Sequence, residues 1–255
     1  MLLQHATWPE VEAYLEVNKG IIVPIGSTEQ HGPSGLIGTD ALTAEVIGRR
    51  VGEETDALVA PTLNYGMAQH HMAFTGTMTL QPSTMIAVVR DLAMSLIRHG
   101  FTRIFVVNGH GGNVNSVKAS FSEVQSELAA AHSIRNDDTN HPPEDIRFEL
   151  RNWWMGEKTT ALRKSLYGDR EGYHATPSEI AVTWSSFPEQ QRDVKLGPLE
   201  KVTRAYQGPE DFRKLFPDGR MGSDPSLATP EDGKRLVSLA VDELSDLYRK
   251  FSGEI

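Results

Sequence analysis

Two short polar segments carry the side chains that could do chemistry. They are Gly26-Ser27-Thr28-Glu29-Gln30-His31-Gly32-Pro33, running on to Asp40, and Asn108-Gly109-His110-Gly111-Gly112-Asn113. Together they supply two imidazoles and two carboxylates, a donor set suited to a divalent cation held by nitrogen and oxygen. A third segment, His174-Ala175-Thr176-Pro177-Ser178-Glu179, adds one more of each, and its Thr-Pro pair predicts a helix start with Glu179 in the first turn. The candidate metal ligands are therefore Glu29, His31, Asp40, His110 and Glu179. Glu29 and His31 are two residues apart, so on an extended strand end they point to the same side. With Asp40 as a bridge, such a set accommodates two ions roughly 3.5 to 4 Å apart with a water between them. Water acidified to a pKa of about 7 and a polarised carbonyl are what amide hydrolysis needs, so the expectation is a metal-dependent amidohydrolase. His174 is the candidate for passing a proton from the attacking water to the leaving nitrogen, with Glu179 counted as both ligand and catalytic carboxylate.

The elements that must position these groups alternate in type. Apolar residues 21–25 precede the first motif and 104–107 the second, as buried strands do, and ligand sites gather beyond the carboxyl ends of such strands. Helical spacing follows at 41–54 (Leu42, Val46, Ile47, Val51) and at 84–99 (Ile86, Val89, Leu92, Ala93, Leu96, Ile97), with a strand opening at 57–60 between them. Asn113 stands where the N-cap of a helix with Val114, Val117, Phe121, Val124 and Leu128 belongs. Three βα units predict a mainly parallel sheet with helices on both faces, in one domain spanning 1–255. Residues 131–145 read as a mobile polar loop. Residues 147–152 read as a half-wet strand near a sheet edge, leading into Trp153-Trp154 with one ring on each face, packed on the core and an oligomer interface. A Gly-, Pro- and charge-rich loop at 207–225 precedes a last helix opened by Thr229-Pro230-Glu231-Asp232.

Composition narrows the function. A net charge of -9 without clustered Lys and Arg argues against nucleic acid, and the absence of cysteine removes disulfides, thiolate nucleophiles and thiolate-bound metal. No stretch reads as a signal peptide or a bilayer span, so a soluble cytoplasmic protein with no membrane partner is expected.

The same blocks resemble the creatininase (creatinine amidohydrolase) family. Tyr65-Gly66, His71 to Phe74 and Gly76-Thr77 are similar to its second block, and Gly222, Asp224-Pro225, Ala228-Thr229 and Gly233 to its C-terminal one, in the same order over roughly residues 20 to 240. The resemblance implies a three-layer α/β/α domain, commonly hexameric, that hydrolyses carbon-nitrogen bonds of small amides with zinc, manganese or iron. By position, Glu29, Asp40 and His110 would hold one ion and His31, Asp40 and Glu179 the other. Creatininases proper carry a glutamate where this chain has Gly112 and a tryptophan where it has Arg170, and Ala68 and Thr75 replace an expected serine and proline. These departures argue against creatinine itself and leave a small cyclic or formyl amide as the expected substrate.

Other readings of the residues compete. The 108–113 loop could instead present backbone amides to a phosphate at a helix N-terminus, as in a metal-independent phosphate-sugar binder or isomerase. A catalytically silent oligomeric family member is a third reading. His71 is a candidate substrate or outer contact, Arg170 a candidate contact to an anionic substrate, and Asp169, Arg170 and Glu171 read most simply as a solvated charge cluster.

Overall fold

The computed structural model describes residues 1–134, 145–201 and 204–253. Strand β1 (Gly20–Ile25) is buried along its whole length, as a strand covered on both faces must be. It pairs in parallel with β2 (Leu58–Val59) on one side and with β3 (Arg103–Asn108) on the other, and β4 (Arg147–Asn152) extends the sheet beyond β3. The order is β2-β1-β3-β4.

Alternation along the strands divides the core into two layers. Ile22, Phe105 and Val107 face α2 (Thr39–Glu54), α6 (Pro177–Ser186) and α8 (Pro230–Ser252). Ile21, Val23, Ile25, Ile104 and Val106 face α3 (Pro82–Arg98) and α4 (Val114–Ile134), with Leu15 of α1 (Trp8–Val17) joining them. The result is the expected three-layer α/β/α architecture with a parallel sheet. No helix among the described residues is long and apolar enough to cross a membrane.

Local departures from the sequence reading have local causes. The second strand keeps only two residues. The helix expected at 84–99 starts at Pro82, whose missing N–H costs nothing in a first turn, and ends at Arg98. Helix α4 runs on to Ile134 into the expected loop; residues 135–144, with the mobility expected of them, lie outside the described residues. The 207–225 loop contains a short helix, α7 (Pro209–Leu215), which buries Phe212. Trp153 and Trp154 follow β4 in a 3-10 turn rather than lying on a strand, so their rings stand at 81° to each other instead of on opposite faces.

The buried ring of Phe105 lies 5.6 Å from Tyr248 of α8, joining the sheet to the helical layer. Phe105→Ala should lower unfolding free energy by about 3–5 kcal/mol. Loss of the Thr229 cap, whose hydroxyl accepts the Asp232 N–H at 3.1 Å, should cost about 1 kcal/mol. Urea denaturation of both variants measures the contrast.

Candidate metal centre

From β1 the chain crosses to β2 on one side of the sheet, and from β3 to β4 on the other, so the connections part between β1 and β3. Such a switch point leaves a crevice at the strands' carboxyl ends. Ile25 pairs with Asn108, and Gly109 N–H donates to the Ile25 carbonyl at 2.8 Å. The two motif segments therefore leave the sheet side by side, and the first turn of α2 delivers Asp40 to the same place.

Asp40 is the centre of the arrangement. Its Oδ1 lies 3.1 Å from His31 Nε2 and its Oδ2 3.0 Å from His110 Nδ1. Glu29 has no exposed surface; its Oε2 accepts the Ser27 hydroxyl at 2.9 Å and lies 3.3 Å from His110 Nε2. Glu179 arrives through a capping box: Thr176 N–H donates to Glu179 Oε1 at 2.7 Å, and Thr176 Oγ1 accepts the Glu179 N–H at 3.3 Å. That holds Glu179 Oε1 3.7 Å from His31 Nε2. All five sequence-predicted ligands thus converge. His174 joins them, its ring centroid 4.5 Å from that of His31 and its Nδ1 3.7 Å from Glu29 Oε1. Between His174 and the Thr176 cap, Ala175 adopts φ 53°, a left-handed backbone costly for a residue with a side chain and typical of over-determined functional turns.

The imidazoles are oriented by backbone carbonyls. His31 Nδ1–H donates to the Glu29 carbonyl at 3.1 Å, and His110 Nε2–H to the Met67 carbonyl at 2.9 Å. Each ring therefore turns its other nitrogen toward Asp40. Burial opposes the charged form of His31, but Asp40, Glu179 and Glu29 outweigh it and raise its pKa to about 10. For His110 burial is outweighed by Glu29 and Asp40, to about 9. Burial pushes both Glu29 and Glu179 up to about 7. Asp40 is opposed by burial too, yet His31 and His110 hold it well below the usual carboxylate range. His174 is lowered by burial and by its histidine neighbours, and stays neutral.

These features fit a divalent cation. Asp40 Oδ2 and Glu29 Oε1 are buried and take no hydrogen bond, although imidazole nitrogens lie close to both. They converge on shared space rather than on one another, and two protons hold charge there that a cation would replace. Three carboxylates around the same space also oppose the phosphate-binding reading of the 108–113 loop.

Several participants were not legible in sequence. Asn113, expected to cap α4, instead donates to the Gly26 carbonyl at 2.9 Å and accepts the Met67 N–H at 3.0 Å, fixing the segment whose Met67 carbonyl accepts from His110. Gly112 must be glycine, because a Cβ there would run into the His110 ring and the Met67 carbonyl. A cavity of about 450 Å³ opens onto Asp40, His110, His174 and Glu179, with Trp153, Trp154 and Arg163 in its wall. The tryptophan pair packs on the core, as expected, and also lines the cavity. Arg163, on α5 (Glu157–Tyr167), bonds Glu171 at 2.6 Å through Nη2. Glu171 is consequently buried rather than solvated. Arg170 pairs with Asp224 at 3.5 Å and is absent from the wall.

Loading zinc into metal-free protein at pH 7 should release protons, since His31 and His110 are protonated below about 9 to 10 and bound metal needs bare nitrogens. Calorimetry in buffers of different ionisation enthalpy measures the release; zero release contradicts the arrangement. Raised folded pKa values stabilise fully below the unfolded histidine value of about 6.5 and fail as pH rises through the folded ones. Metal-free protein should therefore lose stability between about pH 7 and 10, as thermal melts will show.

The family model "Creatininase: Creatinine amidohydrolase" matches residues 4–248. The chain is 29% identical to the creatinine amidohydrolase of Pseudomonas putida, covering 96% of this chain and 94% of that protein. It is 32% identical to the mycofactocin precursor peptide peptidase of Mycobacterium tuberculosis, over 64% of this chain and 73% of that one. The solved structure "Creatininase Mn" superposes with a TM-score of 0.86 at 24% identity, over 98% of each chain. The chain belongs to the creatininase family of metal-dependent amidohydrolases, enzymes acting on carbon-nitrogen bonds.

Proposed function

We propose that this protein hydrolyses a C–N bond of a small cyclic or formyl amide, using two divalent ions (zinc, manganese or iron) per subunit. Glu29, Asp40 and His110 would hold one ion and His31, Asp40 and Glu179 the other. The observation that carries this reading is Asp40, whose two oxygens face two imidazole nitrogens, each left free by a carbonyl bond on the far side of its ring. Bound there, the metal supplies Lewis acidity, polarising an amide carbonyl and lowering the pKa of water. The chain supplies the rest. Neutral His174 accepts a proton at Nδ1 and returns it to the leaving nitrogen. The tryptophan-walled cavity limits water around the amide, and its volume of about 450 Å³ is at the small end of ligand pockets, which run from about 300 to 1,000 Å³.

No side chain fits at Gly112 beside the bonded His110 ring, so Glu179 would complete the second ion's ligand set. Arg163 and the wall around it differ enough from a purely apolar pocket that the substrate screen should include cyclic amides, formylated amines and short peptides. The peptidase relative places the last of these on the panel.

Metal quantification on purified protein tests the reading first, with about two ions per chain expected. Asp40→Asn should lose most bound metal and reduce turnover by more than the roughly 10- to 100-fold typical of changes around a metal's ligands. Lys201→Ala, on the surface, should change neither. Equal metal content in wild type and Asp40→Asn would contradict the bridge. His174→Asn should retain metal while kcat drops by about 10²- to 10⁴-fold, a split that separates a proton carrier from a ligand.

A further inference from the structure

Gln30, between the motif residues Glu29 and His31, is buried, and backbone fixes its amide at both ends. Oε1 accepts the Gly32 N–H at 2.9 Å, and Nε2 donates to the Gly219 carbonyl at 3.0 Å. Gly219 comes this close because it has φ +85° and no Cβ; a side chain would run into the Gln30 amide. The remaining Nε2 proton is directed at His71 Nδ1, 2.8 Å away. An amide NH₂ offers no lone pair, so His71 Nδ1 must be the bare nitrogen. The His71 proton then sits on Nε2, 3.3 Å from Glu29 Oε1. The main chain of the same residue sets His174. Its Nε2 lies 2.7 Å from the Gln30 carbonyl, which only accepts, so Nε2 carries the proton and Nδ1 is bare toward the centre. The 3.0 Å approach of Gln30 Nε2 to His174 Nε2 is a contact between donors whose protons point elsewhere.

We propose that Gln30 is a positioning residue that sets the tautomers of both His71 and His174. The two rings stack at 4.1 Å and offer opposite chemistry to one carboxylate. His71 turns its N–H toward Glu29 Oε1 without forming an aligned hydrogen bond to it, and His174 presents a lone pair ready for a proton. The competing assignment is a third cation, because donor atoms of Glu29, His71 and His174 also lie within 4.8 Å of one another. Gln30 opposes that assignment by placing a proton on the His71 nitrogen such a cation would need. The consequence for turnover rests on the hydrolase reading above, whereas the tautomers do not depend on it.

Long-range ¹H–¹⁵N spectra of metal-free and zinc-loaded protein identify each imidazole nitrogen as protonated or bare. In wild type, His71 and His174 should both carry the proton on Nε2 in both forms. Gln30→Glu keeps the acceptor for Gly32 N–H but replaces the donor to His71, so His71 Nδ1 should become protonated. On whichever amide is turned over, kcat should fall by about 10-fold or more with KM little changed. A bare His71 Nε2 in zinc-loaded wild type, or an unchanged His71 in Gln30→Glu, overturns the proposal. The wild-type spectra decide it even if the variant does not fold, and they do so whether or not the amide screen finds turnover.

Discussion

Concentrating buried charge at one point is the constraint around which this protein is organised. Three carboxylates, Glu29, Asp40 and Glu179, meet at the carboxyl ends of β1 and β3. Taking such groups out of water costs several kcal/mol each unless opposite charge accompanies them. His31 and His110 supply it by holding protons far above the usual imidazole range. The site is thereby built at the expense of local stability and in favour of cation affinity, a balance common where function requires strain or charge.

Keeping those charges in register falls to groups that never enter the reaction. Three imidazoles of the cluster donate to main-chain carbonyls: His31 to Glu29, His110 to Met67, His174 to Gln30. A carbonyl cannot change its role, so ring orientation and proton position are fixed together. Asn113 in turn holds the Met67 segment against the end of β1. Gly112 and Gly219 matter because a methyl group at either would break a contact of this framework. Backbone rigidity is what converts five mobile side chains into a centre with defined spacing.

Much of the architecture was legible in the chain. The apolar runs before each motif gave parallel strands, and Thr176-Pro177 gave the helix start that delivers Glu179. The Trp153-Trp154 pair was misplaced because periodicity cannot distinguish a strand end from a 3-10 turn when two bulky residues adjoin. Asn113 was misassigned because an asparagine before a helix serves equally well as a cap or as a tether, and only its neighbours in space decide. Arg163 and Glu171 gave no signal at all, since a charged pair eight residues apart looks like any solvated surface until a cavity wall closes over it.

The sequence by itself determined which donor atoms exist and on which elements they ride, because residue type and strand or helix period are local properties. It also determined that any metal would be held by nitrogen and oxygen, since the chain has no cysteine. Only the tertiary structure decided that Asp40 offers one oxygen to each of two imidazoles, that Gln30 reaches both His71 and His174, and that Glu179 faces His31. Those facts depend on which strands become neighbours and on angles across contacts between residues as far apart in the chain as His31 and Glu179. Hydrogen-bond direction is a property of the assembled pair, and no spacing along the chain encodes it.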